Sequence, residues 1–273
     1  MKNKFGNNKN FSKGQLLYVR SVRRKKIAVN CSRVGLLAVI LAIWEIATRL
    51  GWIDSFIMSS PSRIVATLAE LTTNGTLATH AWVSTYETLC GFLLGTTIGY
   101  VAAVVMWSND FVKQVLEPYI VVLNSLPKIA LGPILIIWMG TGKASIIAMA
   151  VLISVVITTI TILNGFCATD KEKIMLMQSM GASKLQIFVK LVAPSNVPTL
   201  LNTLKINVGM AWIGSIMGEY LVSKEGLGYL LVYGSQVFRL DLVMTCTIVL
   251  CTLAGLMYAL VAMAEKLICK RFV

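Results

Sequence analysis

The chain has 273 residues, of which 56% are hydrophobic and only 14% charged, against roughly 25% charged in soluble domains. Long apolar runs recur along most of its length, which excludes a soluble domain and points to a polytopic helical membrane protein. The formal net charge of +13 is concentrated rather than spread.

Ten basic residues fall in the first 33: Lys2, Lys4, Lys9, Lys13, Arg20, Arg23, Arg24, Lys25, Lys26 and Arg33. No acidic residue accompanies them. Beside an apolar run this is a cytoplasmic retention signal, able to touch anionic membrane lipid. No folded reader module follows, so it is not read as a nucleic-acid arm. Residues 1–33 are expected to form a mobile basic tail with a surface helix near Leu16–Lys26, ahead of a membrane domain over 34–273.

Span one is expected over Val34–Leu50, with Glu45 and Arg49 one helical turn apart as an interfacial ion pair. Pro61-Ser62-Arg63 opens an amphipathic surface segment, Arg63–Leu71. Span two, Ala81–Trp107, carries Gly91, Gly95 and Gly99 at every fourth position, a small-residue ridge for close helix packing. Ser108–Glu117 reads as a short inside loop. Span three, Pro118–Met139, is interrupted by Pro127 and Pro133, with Asn124, Ser125 and Lys128 beside the break. Broken helix at membrane depth either lines a wet path or is buried in protein, so a pathway and a kinked packing helix both fit. Span four covers Ala144–Ala168. Span five, Leu200–Leu221, places Lys205 and Glu219 fourteen residues apart, about 21 Å along a helix. Charges near the two edges of the span avoid the cost of the bilayer centre. Asn207, Trp212 and Ser215 are further candidates for a pathway lining. Val222–Asp241 is an outer segment with a Gly226-Leu227-Gly228 turn and a short helix over Tyr229–Phe238. Span six is Leu242–Ala264. Six spans place both termini on the side that holds eighteen of the 25 basic residues.

Between spans four and five lies the longest charged, helix-patterned run of the second half. Thr169-x-x-Glu172 has capping-box spacing. Ile174, Met175, Met177 and Met180 form a first apolar stripe. Gly181 ends that helix, and Ser183 caps a second with Leu185, Phe188, Val189 and Val192 on one side. Pro194 ends it or redirects it. Two short amphipathic helices rich in methionine suit a shallow protein groove, although an ordinary interfacial loop also has this pattern. The six cysteines, Cys31, Cys90, Cys167, Cys246, Cys251 and Cys269, are dispersed and read as small buried residues. His80 is the one histidine, so a histidine-based metal site is not expected.

Gly181-Ala182-Ser183, with Pro194 thirteen residues after the glycine and Pro198 beyond, resembles the cytoplasmic coupling loop of permease subunits of binding-protein-dependent ABC importers. Leu204 to Gly214, Glu219-Tyr220-Leu221, Gly226-Leu227-Gly228-Tyr229, Leu126 to Pro133, Trp138-Met139-Gly140 and Pro61-Ser62 resemble the nitrate/sulfonate/taurine group. One departure stands out: Met175-Leu176-Met177 occupy the place of the family's Glu-Ala-Ala, and Glu172 lies one turn earlier.

The resemblance implies an all-α membrane protein of six transmembrane helices with a coupling loop over about 169–198. It implies a non-catalytic subunit that imports a small, anionic, nitrate-, sulfonate- or taurine-like solute across the plasma membrane by alternating access. No cofactor is bound by the chain itself, which has no Gly-x-x-x-x-Gly-Lys-Ser/Thr loop; ATP and Mg belong to a partner dimer of ATP-binding subunits. The other implied partners are a second permease subunit, forming a homodimer, and an extracytoplasmic solute-binding protein. The coupling residues carried over are Glu172, Met175, Met177, Met180, Gly181, Ala182, Ser183, Lys184 and Pro194. The pathway candidates are Asn124, Ser125, Pro127, Asn207, Trp212, Ser215 and Glu219. An ion-coupled secondary transporter is the alternative, with Glu219 as its coupling acid.

Overall fold

The computed structural model describes residues Lys13–Phe272. All regular structure among them is helical. The first twelve residues of the expected tail, and the side chain of Cys269, lie outside the described part.

The chain divides into two compact units at Ile64. The first holds α1 (Lys13–Arg49), α2 (Ser55–Met58) and the start of α3 (Pro61–Thr73). α1 is one continuous helix, so the basic residues from Lys13 onward extend the apolar span instead of forming a separate surface helix. Glu45 pairs with Arg49 at 2.8 Å, and its second oxygen accepts the Ser62 N–H at 3.1 Å.

The second unit contains α4 (Thr76–Ser108), α5 (Asp110–Ser125), a 3-10 turn (Lys128–Leu131), α6 (Gly132–Met139) and α7 (Lys143–Cys167). Then come α8 (Lys171–Ser179), α9 (Lys184–Ile187), a π-helical turn (Phe188–Val192), α10 (Ala193–Ser195), α11 (Val197–Val222), α12 (Leu227–Gln236) and α13 (Leu240–Phe272). The expected loop at Ser108–Glu117 is absent. Asn109 alone interrupts the helix, accepting the N–H groups of Phe111 and Val112 to cap α5.

Ile27–Arg49, Thr76–Ser108, Lys143–Cys167 and Leu240–Ile268 are long and apolar enough to cross a membrane. α5 and Lys128–Met139 qualify as a pair, bent by 94°. The break comes where the prolines were expected to produce it. α11 is long enough, at about 39 Å, but Asn202, Lys205 and Asn207 lower its apolar character.

The centre of the second unit is α7, held between α4 and α11. A Cβ added to Gly95 would lie 2.6 Å from Ser154 Cβ, and one on Gly99 would lie 2.6 Å from Thr158 Cβ. Gly91 meets Ala150 in the same way. On the opposite side, a Cβ on Gly214 would fall 2.5 Å from Ala150 Cα. Ala150 is thus wedged between two glycines and is fully buried. Small residues in lipid let backbones approach until dispersion and weak polar contacts add up. Thr159 Oγ1 donates across this seam to the Gly99 carbonyl at 3.3 Å.

Two readings from the sequence are corrected. Lys205, expected only as a charge near the edge of its span, is not isolated there: its Nζ pairs with Glu265 at 3.0 Å. Cys31, Cys167 and Cys251 are exposed, while Cys246 is buried; exposed apolar-flanked thiols are compatible with a surface that faces lipid.

Gly95→Leu is expected to lower stability by about 1–3 kcal/mol through overpacking, whereas Gly255→Ala, where an added Cβ meets nothing within 4 Å, should not. Thermal unfolding of the two detergent-purified variants checks this; equal unfolding temperatures would contradict the packing account.

Candidate functional site

The Asp170–Pro198 segment forms two short helices around a left-handed break. Asp170, not Thr169, caps α8. Its Oδ1 accepts the Glu172 N–H at 3.0 Å, and Lys173 lies 3.4 Å from Oδ2. The Glu172 N–H, helped by the Lys173 ammonium, holds the Asp170 carboxyl below the usual carboxylate range. The Thr169 hydroxyl instead accepts from the buried Asn196 Nδ2 at 2.9 Å. Gly181 sits at φ 78°, its N–H reaching Gln178 O at 2.9 Å while Ala182 N–H reaches Met177 O at 3.0 Å. Ser183 then makes a full capping box: it accepts the Gln186 N–H at 3.3 Å, and Gln186 Oε1 accepts the Ser183 N–H at 2.9 Å.

The apolar residues of this loop split between two faces, contrary to the single stripes expected. Ile174, Met177 and Ala182 pack toward the core, as do Ile187, Phe188 and Val192. Met175, Leu176, Met180, Leu185 and Val189 are exposed. The π-helical turn over Phe188–Val192 adds a residue per turn and rotates the second row away from simple helical register. Glu172 and Lys184 are exposed, Lys184 lying 4.0 Å from Asp110 and 5.9 Å from the Trp107 ring. Pro194 stands in α10, which continues the π-helical turn without a break and ends at Ser195.

The inward face is bolted to the central helices. Ile187 and Val192 join Ala103, Met106, Ile162, Leu163 and Phe166 in one buried cluster. Phe188 packs against Trp107 at 5.2 Å and edge-on against Phe166 at 5.4 Å. A displacement of the loop is therefore passed directly to α4 and α7.

The pathway candidates fall into separate settings. Asn124, Ser125 and Pro127 are exposed at the corner of the bent pair; Ser125 Oγ donates to Val121 O, and Lys128 Nζ donates to Asn124 O. Asn207 is fully buried where α4, α7 and α11 meet, donating to Thr96 Oγ1 at 3.0 Å and Thr158 Oγ1 at 2.5 Å. Ser215 is buried and donates to Ala211 O in its own helix. Trp212 belongs to a buried cluster with Phe92, Val208 and Ala211.

Glu219 is buried near the C-terminal end of α11, under the loop that enters α12. Its Oε2 accepts the Gly228 N–H at 2.6 Å. Gly226, at φ 104°, approaches so closely that an added Cβ would collide with the Glu219 carboxyl. Two residues of α4 complete the cradle: His80 Nδ1 accepts the Gly226 N–H at 2.8 Å, and Ser84 Oγ accepts the Leu227 N–H at 2.7 Å. One turn on, Glu87 is fully buried and faces Glu219. Sequence reasoning missed Glu87, His80 and Ser84. The signal was available: three polar residues at positions 80, 84 and 87 share one face of an otherwise apolar helix, and a carboxyl within a membrane span is a functional candidate in itself.

Residues 95–270 match the family described as binding-protein-dependent transport system inner membrane component. The chain is 32% identical over 190 residues to the formylaminopyrimidine transport permease protein ThiX of Halalkalibacterium halodurans, covering 70% of this chain and 75% of that one. It is 27% identical over 233 residues to the putative aliphatic sulfonates transport permease protein SsuC of Bacillus subtilis, covering 85% and 84%. In structure it resembles a chain of the MetNI methionine ABC transporter in an inward-facing conformation, with a TM-score of 0.63 at 18% identity over 74% of this chain and 98% of that one.

Two outcomes are expected at these sites. Asp170→Ala should open α8, read as faster tryptic cleavage at Lys171 and Lys173, while Asp170→Asn, which still caps, should not. Because the Asp170 carboxyl is held low, its stabilising contribution is present above the unfolded-state carboxylate range and is lost as pH falls through the lowered value, so in the wild type the first-turn amides of α8 should lose hydrogen-exchange protection only in acid. Gly226→Ala forces both a strained backbone and a clash with Glu219, and should cost more stability than Gly209→Ala, where an added Cβ meets nothing within 4 Å.

Proposed function

We propose a function from one established premise: the chain belongs to the family of binding-protein-dependent transport system inner membrane components. It is the permease subunit of an ABC importer of the sulfonate/taurine group, a non-catalytic membrane component whose ATPase is a separate subunit. Membership decides against the ion-coupled secondary transporter that the sequence alone left open.

In the proposed mechanism, Asp170–Pro198 is the coupling loop and lies in the cytoplasm, as do both termini. Two copies of the chain form a homodimer, each loop resting on one subunit of an ATP-binding dimer. ATP, with Mg, closes that dimer and draws the loops together. Because Ile187, Phe188 and Val192 are packed into the α4–α7 cluster, the loop cannot move without carrying those helices. The permease then opens outward to a loaded solute-binding protein and accepts a small solute, anionic and of nitrate, sulfonate or taurine type. Hydrolysis returns it inward. The corner at Asn124, Ser125 and Pro127 is the best-placed part of the pathway set, since it is exposed in the single chain, whereas Asn207, Trp212 and Ser215 hold helices together.

The observation that carries the reading is the rigid seating of a doubly capped helix pair whose outer face is apolar. Met175, Leu176, Met180, Leu185 and Val189 together make an exposed patch on a segment outside the spans, which marks a protein contact. No acid stands at Met175, so docking at this position rests on burial of apolar surface rather than on charge.

Two measurements check this. Gly181→Pro is incompatible with φ 78° and removes the N–H that reaches Gln178; it should leave membrane insertion intact and uncouple ATP hydrolysis from uptake. Met180→Glu should weaken co-purification of the ATPase at least tenfold, and the wild-type complex should survive roughly 0.5 M salt, where exposed charge pairs are screened. Normal uptake in Gly181→Pro, or a wild-type complex that dissociates in salt, would count against the reading.

A further inference from the structure

Three consecutive backbone N–H groups at the entrance to α12 are held by side chains of other helices. Gly226 N–H donates to His80 Nδ1 at 2.8 Å, Leu227 N–H to Ser84 Oγ at 2.7 Å and Gly228 N–H to Glu219 Oε2 at 2.6 Å. These are donors that the start of a helix leaves without partners of its own. Behind them lie two buried carboxyls. Glu87 Oε1 and Oε2 and Glu219 Oε1 meet no N–H or O–H donor among the described residues, yet the two carboxyls are within hydrogen-bonding reach of each other. Ionised carboxylates only accept, so that contact needs one shared proton. His80 is under the opposite requirement. Its Nδ1 accepts only while the ring is neutral, because both nitrogens donate in the cation.

We infer that this cradle is a proton-controlled latch on the outer turn, closed while Glu87 and Glu219 share one proton and His80 carries none. It goes beyond the importer reading, which supplies only the placement of the turn on the outer side. The two requirements act in opposite directions. The His80 bond is present above the titration of the ring and is lost as pH falls through it. The carboxyl contact is present while the shared proton is bound and is lost as pH rises through its release, which leaves two like charges in contact without donors. The seam of α4, α7 and α11 fixes the backbones that carry both acids, so the charges cannot separate by spreading the helices. The element that can yield is the turn above them. Gly226 and Gly228 lie so close to Glu219 that an added Cβ on either would collide with its side chain, and lifting them admits water to both acids. Other titratable or charged groups surround the cradle. Lys143 stands at the start of α7, and Lys224 and Glu225 stand on the loop, Glu225 acting on both His80 and Glu87. Tyr229 of α12 stacks on His80 at 6.0 Å. Tyr220 of α11 lies beside Glu219, and Cys246 of α13 beside Tyr220. None of these accepts from the three N–H groups, so the latch turns on His80 and the acid pair.

The test follows hydrogen exchange of the peptide spanning Gly226–Gly228 in the full chain, in an ester-free detergent, with each rate taken relative to the intrinsic rate at that pH. Protection should be greatest in a middle band of pH and fall about tenfold or more on each side, the effect of losing a hydrogen bond. His80→Asn keeps an acceptor oxygen at the place of Nδ1 and cannot titrate, so it should remove the acid-side fall alone. Glu87→Gln donates to Glu219 with no proton to lose, so it should remove the alkaline-side fall alone. The infrared spectrum of the wild type at neutral pH should contain a protonated-carboxyl band that disappears over the same alkaline range. Flat protection, a fall on one side only, absence of that band, or both falls surviving in the two variants would overturn the inference. The wild-type profile and band decide the matter if a variant fails to fold. A chain that brings its ATPase through purification yet shows flat protection keeps the importer reading and loses the latch.

Discussion

Ala150 is the point on which the second unit turns. It has a glycine on either side, Gly91 from α4 and Gly214 from α11. Neither neighbour can retreat without opening a void on a fully buried residue, and neither can grow a side chain. The same small-residue seam runs along α4 through Gly95 and Gly99 and along α11 to Gly218. A polar tie, Asn207 to Thr96 and Thr158, crosses all three helices about two turns further along α7. A seam this close is not continuously deformable. Movement in this protein must therefore be displacement of α4, α7 and α11 together, against the elements around them.

On the proposed coupling reading, that constraint gives the loop its purpose. α8 and the turn at Gly181 do not hang from the spans on flexible tethers; they are clamped by Ile174, Met177, Ile187 and Val192 to the ends of α4 and α7. A push on the exposed apolar face is delivered to helices that already move as one. The same logic explains why an apolar contact can replace an acidic one. Transmission depends on the inward face, which is intact, and the outward face needs only enough complementary surface to stay seated. The aromatic contacts of Phe188 with Trp107 and Phe166 stiffen the joint where the two faces meet.

How much of this was legible beforehand followed the range of the interaction. Local signals were read well: the glycine ridge, the proline break, the left-handed Gly181 and the Ser183 cap each depend on a few neighbouring residues. Competition between neighbours was read poorly. Thr169 and Asp170 are both competent caps; Asp170 takes the role while the threonine hydroxyl meets the buried Asn196, far along the chain. Faces of the loop helices were misassigned because a π-helical turn changes the residue count per turn, which periodicity assumes fixed. The Lys205–Glu265 pair joins positions sixty apart, beyond any local rule. Glu87 was missed for another reason. Glu219 stands beside a recognisable glycine turn, whereas Glu87 is marked only by being an acid within an apolar run, which is the stronger physical anomaly.

The two ends of the second unit are linked by the same three helices. Glu219 lies on α11, four residues past Ser215 and one past the seam glycine Gly218, so the carboxyl that holds the Gly226 turn is placed by the packing that fixes α7. Glu87 lies on α4, one helical turn before Gly91, and is placed by the other side of that seam. Because the seam holds α4, α7 and α11 as one block, it also fixes the separation of the two carboxyls on either side of Ala150. Two buried acids that face each other form an arrangement whose energy depends steeply on distance in a low-dielectric setting. The acid pair is thus carried, at fixed separation, with the block against which the loop is seated at the other end. That coupling needs no contact between the two sites, only a seam too tight to absorb the movement between them.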